Sequence, residues 1–548
     1  MSCNFSLYSC QPISHHMVIS ADQAENLGLT DVCDLLKEKN NEFKILSGML
    51  TKVPVDVADI KYRQDIFEDI KGNFQLFKRI DKWIDRVVEL EDMMNTNERG
   101  SDWRHQLKRK IAATDQYMMC VEGLCEIIKY NGFKSEGIKH LHKLLIELQS
   151  QKNYILLKKI VNDHDNALYN MTGVTIRIEF DSLLHPERAC LVDYVQEEGD
   201  GVKEIKNPFA KLRNVDSQEP QDTVITKDDV TGAFFISNLQ PIITLCMQQL
   251  CEAFDRYLSN HGGFISKIAF QLYFYMIAAR MVDTFENMGL KMCKPEIDNG
   301  SVHHMERAYD LLTGLQLHKT GKVKDLVVNN IDFTDPKRVF ILTGPNRGGK
   351  TTFLRTVGLA QILFQAGLYV PASSAVMSPV RNIYTHYPKT ERKLIGEGRL
   401  GEELREISEI LKCISKDSLL LMNESLSSTS AYDSYVISKN IIKVLTKIGT
   451  RTVFATHIHE LSRETDQMNK HSDSEYRVVP LSAGVEEINV DNKEEKSFKR
   501  TYVIQEAKSD GHSYAKDIAR GHGMTYDQMK SRLASVKQER CFKSGSCK

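Results

Sequence analysis

The 548-residue chain contains no apolar stretch near the roughly 18 residues that a membrane-crossing helix requires. Its N-terminus, MSCNFSLYSCQPISHHM, lacks the basic-then-apolar order of a secretory leader. Its twelve cysteines include no CxxC pair and no disulfide-dense segment. That distribution suits a reducing interior, where cysteine serves mostly as a small buried hydrophobe. Neither sign of charge is in excess, with Lys+Arg 72 against Asp+Glu 73 and a net charge of −1. There is no global electrostatic footprint for nucleic acid, so any such contact must come from a local patch. No internal repeat of fixed period and no long heptad run is visible. These absences describe an intracellular, soluble protein with no membrane segment.

What is present is length and a change of texture along it. A chain this long exceeds one ordinary core, and two to four domains are expected. Residues 1–59 are a mixed N-terminal segment with short helical patterns such as TDVCDLLKEKN. Residues 60–295 read as a mainly α-helical domain, in which HLHKLLIELQSQKNYILLKKIV repeats apolar residues at three- and four-residue steps. VTIRIEF (174–180) alternates instead, as a half-buried strand does, and the polar, Gly/Pro-bearing stretch after it reads as a surface hairpin or loop. Helix resumes after Pro241, and FISKIAFQLYFYMIAARMVDTF is apolar nearly all round, as expected of a helix inside a helical body. From 296 to 534 short apolar runs (RVFILT, SLLLMN, RTVFAT) alternate with helical stretches, the rhythm of an α/β domain with a largely parallel sheet. Residues 535–548 read as a frayed basic tail.

GPNRGGKT, Gly344 to Thr351, fits G-x-x-x-x-G-K-[ST] without mismatch, with strand RVFIL before it and helix TFLRTVGLAQILFQAG after it. Glycines let backbone N–H groups turn inward on phosphates, and the helix N-terminus adds partial positive charge. Lys350 would reach the β- and γ-phosphates, and the Thr351 hydroxyl would take a Mg²⁺ coordination position. The nucleotide-binding set is Gly344, Pro345, Asn346, Arg347, Gly348, Gly349, Lys350, Thr351 and Thr352, with ATP as ligand.

About seventy residues on, LLLMNES reads as a neighbouring strand whose end comes beside the loop. Glu424 is placed as general base or water-orienting residue for attack on the γ-phosphate. Asn423 stands where a carboxylate ordinarily holds Mg²⁺ or its waters. His457, after RTVFAT, would sit at the next strand end facing the γ-phosphate. Between loop and acid, GEGRLGEELREISEILK carries an apolar stripe (Leu400, Leu404, Ile407, Leu411), and Glu402, Glu403, Glu406 and Glu409 read as a solvated face.

TGPNRGGKTTFLRTVGLAQILFQAGLYVPA resembles the ATPase domain of the MutS family of DNA mismatch-repair proteins. FATHIHEL (454–461), LVVNNIDF (326–333), SYA (513–515) and IKYRQDIFEDI (60–70) resemble further family segments. The resemblance implies a helical core or lever domain followed by an α/β P-loop ATPase domain of the ABC type. It also implies a dimer in which each ATP is shared. One subunit gives the loop, and the other gives the start of a signature helix, here 398–403. It carries over Asn346, Lys350, Thr351, Glu424 and His457, and implies DNA as a partner. The chain departs from the family pattern as well. LMDE-x-GRGTST-x-DG reads LMNESLSSTSAYDS, so Asp becomes Asn423 and glycines become Leu426, Ser428 and Ser434. GRLGEE replaces the signature Ser-Thr-Phe, and no Phe is followed two residues on by Glu, so the Phe-x-Glu mismatch wedge is absent. The resemblance is to a short branch without the mismatch-recognition domain. Two functions follow as expectations: a slow dimeric ATPase engaging DNA by shape, or an ATP-gated protein-interaction module with negligible turnover.

Overall fold

A run such as SLLLMN, apolar on both faces, has to be covered on both sides, and the architecture of the C-terminal part follows from that requirement. The computed structural model describes residues 5–11, 14–39, 42–95, 103–129, 132–167, 171–180, 182–183, 186–198, 201–206, 232–388, 398–489, 496–508, 524–526 and 528–532. The chain forms two compact units, Met1–Cys10 with Asp65–Met276, and Gln11–Gln64 with Ile277–Lys548.

The first unit is built on helices. Phe74–Asn95, Trp103–Lys129, Glu136–Ser150 and Lys152–Ala167 bury Trp83, Leu90, Tyr117, Leu124, Leu141, Leu145 and Tyr154. The Trp83 indole N–H donates to the Cys120 carbonyl at 2.7 Å, so the largest side chain of this core keeps its polar atom paired. Met171–Phe180, Pro186–Glu198 and Gly201–Lys206 form an antiparallel three-stranded sheet, which includes the alternating VTIRIEF. The helix Gly232–Asn287, 56 residues long, contributes its residues up to Met276. It starts upstream of Pro241, which therefore lies inside the helix and not at its beginning. A missing backbone N–H does not end a helix whose neighbouring turns continue the ladder. Between Ile265 and Met276 this helix is mostly buried, with Lys267 and Phe270 exposed.

The second unit is organised by a six-stranded sheet in the order Asn382–His386, Ser418–Asn423, Arg451–Ala455, Lys337–Thr343, Arg477–Asn489, Lys496–Glu506. The first five are mutually parallel and the last is antiparallel. One face buries Leu420, Met422, Leu426, Val339, Ile341 and Phe454 beneath the helices Arg399–Cys413 and Ala431–Ile448. The stripe Leu400, Leu404, Ile407 and Leu411 is what seats the first of these helices. Ser430 caps the second by accepting from the Asp433 N–H. On the other face lies the helix Lys350–Gln365. A smaller four-stranded sheet orders Glu296–Ile297, Ser374–Met377, His303–Ala308 and Asn329–Phe333.

Two polar chains tie this unit together. Gln361 and Gln365, both fully buried on one face of Lys350–Gln365, donate to the Ser378, Val380 and Pro54 carbonyls. Gln361 also meets the buried His303 imidazole at 3.0 Å. The N-terminal segment joins in: Gln23 donates to the Ile383 carbonyl at 2.6 Å and Asn26 to Thr385 Oγ1 at 2.9 Å. His16–Val18 and Ala21–Asn26 thus lie along the edge strand of the large sheet, whose outer backbone groups need such protection. Arg63 and Gln64 of IKYRQDIFEDI are both buried, Gln64 donating to the Pro295 carbonyl. Residues 207–222, SYA (513–515) and the tail 535–548 lie outside the described residues. Among the described residues no helix is long and apolar enough to cross a membrane.

Candidate functional site

The strand Lys337–Thr343 ends in a turn that only glycine accommodates. Gly344 has φ 145°, and a Cβ there would stand 2.6 Å from Ala483 Cβ and 3.2 Å from its backbone nitrogen. Gly348 N–H closes a turn on the Pro345 carbonyl at 3.0 Å, and Arg347 follows the left-handed path at φ 59°. Gly349, at φ 95°, is the N-cap of Lys350–Gln365 and provides no side-chain cap. The first N–H groups of that helix therefore keep their capacity for an anionic ligand. Asn346 and Arg347 are exposed at the tip.

Lys350 is only 4% exposed, and its ammonium donates to the Gly344 and Pro345 carbonyls at 3.0 and 3.2 Å. Burial lowers its pKa from the ordinary lysine value, and the Glu424 carboxylate 3.8 Å away partly opposes that effect.

Asn423 and Glu424 end the fully buried strand Ser418–Asn423, whose direct neighbour is not the loop strand. Arg451–Ala455 lies between them, so the acid-bearing strand is the second neighbour of the loop strand and the His457 strand is the first. The side chains still converge. Thr351 Oγ1 is 3.4 Å from Asn423 Oδ1, and His457 Nε2 is 2.8 Å from Glu424 Oε1. The Glu424 N–H is anchored on the Ala455 carbonyl at 2.8 Å. The hydrogen bond from His457 holds the Glu424 carboxyl below the ordinary carboxylate range, with the charges of His457 and Lys350 acting the same way and burial opposing them. Glu424 is thus an ionised acceptor, and His457 Nε2 carries the shared proton. The acid turn is bent: Glu424 has φ 50° and Leu426 φ 65°, the left-handed region that non-glycine residues seldom adopt.

Loop residues 344–352, Asn423, Glu424 and His457 therefore form one cluster. The stretch 398–403 opens the helix Arg399–Cys413, whose N-cap Gly398 offers no side-chain cap and whose first turn is exposed at Gly398, Arg399 and Gly401. The supposed solvated face of this helix is divided. Glu409 pairs with Lys412 at the surface, Glu403 is largely covered beside Arg399, and Glu406 turns toward His386. Two local basic stretches, WRHQLKRK (103–110) and KSEGIKHLHK (134–143), fall on the helix Trp103–Lys129 and at the start of Glu136–Ser150, where Lys110, Lys139 and Lys143 are engaged by acids.

Three features had no motif to announce them. Tyr502, at φ 59° and 45% exposed, lays its ring beside Gly349. It is held by Asn329, which donates to the Tyr502 carbonyl and accepts from the Ile504 N–H. Asp310, fully buried, caps the helix Leu311–Lys319 and pairs with Arg355 of the loop helix. His386 contacts Ser425, the residue after Glu424. Their only sequence signals are single polar residues beside apolar runs.

Residues 340–528 match the family model described as MutS domain V, and residues 55–288 match that of the MutS2 N-terminal domain. A protein of Ruminiclostridium cellulolyticum named DNA mismatch repair protein MutS is 23% identical over 500 residues, covering 83% of this chain and 55% of the relative. A protein of the same name from Caldicellulosiruptor bescii is 23% identical over 580 residues, covering 96% and 63%. One from Leptospira interrogans is 40% identical over 131 residues, 24% of this chain and 15% of the relative. The chain spans about half the length of the curated relatives it matches along most of its own.

Proposed function

The chain belongs to the MutS family, and from that premise we propose that it is a dimeric, slow ATPase whose nucleotide-driven closure engages DNA. The observation that carries the reading is the Glu424 carboxylate, ionised and aimed by His457, 3.8 Å from the loop lysine. The loop N–H groups of 348–352 receive the phosphates, and Lys350 exchanges its two carbonyl partners for phosphate oxygens. The half-exposed Tyr502 ring beside Gly349 offers the base a stacking surface.

Magnesium prefers oxygen donors and keeps several waters, so one or two protein oxygens beside a phosphate suffice. Thr351 Oγ1 and Asn423 Oδ1, 3.4 Å apart, fit that requirement and would hold the ion or its waters. When bound, the ion supplies positive charge to the phosphate oxygens. Glu424 orients the attacking water, and His457 fixes Glu424 and faces the γ-phosphate. Asn423 contributes an acceptor but no charge, and this is the reason for slow turnover. The exposed start of Arg399–Cys413, at 398–403, serves the nucleotide of the second subunit.

Phosphate release by three proteins tests the reading. Asn423→Asp is expected to raise turnover and Glu424→Ala to abolish it, and unchanged turnover in both would sink it. DNA engagement is tested by gel shift with duplex, mismatched and branched DNA at several salt concentrations, with and without ATP. Affinity falling steeply with salt supports phosphate contacts. No binding to any of these DNAs supports the reading as an ATP-gated protein-interaction module.

A further inference from the structure

His386 is the last residue of the edge strand Asn382–His386, and it is almost fully buried. Its side chain stands between two elements of the site. Nδ1 lies 2.7 Å from Ser425 Oγ, and Ser425 is itself buried and directly follows Glu424. On the far side of the ring, Nε2 faces Glu406 Oε2 at 3.8 Å, and Glu406 belongs to the helix Arg399–Cys413. Nδ1 and Ser425 Oγ share a hydrogen bond whose direction depends on the ring tautomer, and Nε2 stands at ion-pair rather than hydrogen-bond distance from Glu406. The result is a line of contacts, Ser425 to His386 to Glu406, from the residue beside the reactive carboxylate to the helix that begins at 398.

The backbone explains why such a chain has leverage. The acid turn passes through φ 50° at Glu424 and φ 65° at Leu426, with Ser425 between them. A turn held in a sparsely populated conformation is maintained by its surroundings, and the side chain of its middle residue has one described anchor, His386. Glu424 is held by His457, the Ala455 carbonyl and the Lys350 ammonium, and its backbone runs on into this turn.

We infer that His386 is a positioning residue that sets the aim of Glu424 through Ser425 and makes that aim depend on the helix Arg399–Cys413 through Glu406. The inference rests on the proposed function in one respect: there, Glu424 orients the attacking water.

The test uses the full-length chain and the variants His386→Gln, Ser425→Ala, Glu406→Gln and the double variant His386→Gln/Glu406→Gln. Turnover is measured by phosphate release and ATP affinity by a fluorescent ATP analogue. Misdirecting a catalytic group commonly costs about tenfold or more, and binding is spared. His386→Gln and Ser425→Ala are therefore expected to lower kcat about tenfold with ATP affinity within about twofold of wild type. Ser425→Thr, which keeps the hydroxyl, is expected to restore most of the loss. The double variant is expected to match His386→Gln alone, because both substitutions break one chain. Equal loss of affinity and kcat, or strictly additive losses, would overturn the inference. The wild-type rate tests the proposed function separately. Should wild type release no phosphate, amide exchange over 423–430 still decides the point. Faster exchange there in both His386→Gln and Glu406→Gln supports the chain, and unchanged exchange in both refutes it.

Discussion

Leu426 combines two properties that oppose each other, and substitutions can separate them. Its side chain is 0% exposed, packed with Leu420, Met422, Ile442 and Phe454, while its backbone sits at φ 65°. Replacing Leu with Met or with Ile keeps an apolar side chain of similar volume, and each swap costs less than about 1.5 kcal/mol in an ordinary core. The two replacements differ in branching at Cβ. A left-handed backbone tolerates an unbranched side chain with modest strain but makes a β-branched one a steric outlier, at about 1–3 kcal/mol. Leu426→Met is therefore expected within about 1.5 kcal/mol of wild type, and Leu426→Ile about 1–3 kcal/mol below the Met variant. The assay must look at the right part of the chain. Both tryptophans, Trp83 and Trp103, belong to the first unit, so intrinsic fluorescence reports the wrong transition. Pulse proteolysis in urea, read on fragments of the second unit, or amide exchange over 418–430 reports the right one. An Ile variant as stable as the Met variant would refute the reasoning, because it would mean that the turn is free to leave the left-handed region.

Other consequences are equally open to measurement. His303 is completely buried, and burial, reinforced by Arg451, lowers its pKa from about 6.5 to about 3. A base whose folded pKa is depressed is stabilising above its unfolded value and loses that contribution as pH falls. From pH 7 to 5 it should cost about 2 kcal/mol. His303→Gln is expected to flatten the stability profile over that interval, whatever its effect at pH 7, as read by thermal melts across pH. Gly367 has φ 79°, and a Cβ there would fall 2.3 Å from Arg63 Cβ and 3.0 Å from the Gln64 nitrogen. Gly367→Ala should cost about 3 kcal/mol or more, combining strain with a backbone clash, and should appear as loss of soluble yield. Arg355→Ala leaves the buried Asp310 carboxylate its Thr313 hydrogen bonds but no counter-charge, and about 3–5 kcal/mol of stability should go with it, measured by the urea midpoint.

Local patterns made part of this molecule legible in its sequence, and long-range contacts hid the rest. The loop glycines, the apolar strand before them and the stripe at 400, 404, 407 and 411 each lie within a few residues of what they determine. Strand order is different in kind. That Arg451–Ala455 inserts between the loop strand and the acid strand depends on how crossovers wind, and SLLLMN and RTVFAT carry nothing that ranks them. The attachment of residues 11–64 to the second unit runs through pairs such as Gln23 with Ile383, some 360 residues apart. Glu406 is one of four glutamates within eight residues, and only the end of another strand singles it out. Pro241 shows the limit of a breaker signal, because a helix extended by its neighbours passes through it.

Lys350 has a consequence for selectivity. Its ammonium is already solvated by two carbonyls of its own loop, so an incoming ligand meets a rival and must outcompete it. Two neutral dipoles can be displaced by a doubly charged terminal phosphate much more readily than by a weak anion. The exchange therefore favours a ligand that ends in a doubly charged phosphate over a singly charged anion such as chloride or a carboxylate. The loop also gives the lysine a place to return to when the phosphate leaves, so release need not expose a bare buried charge.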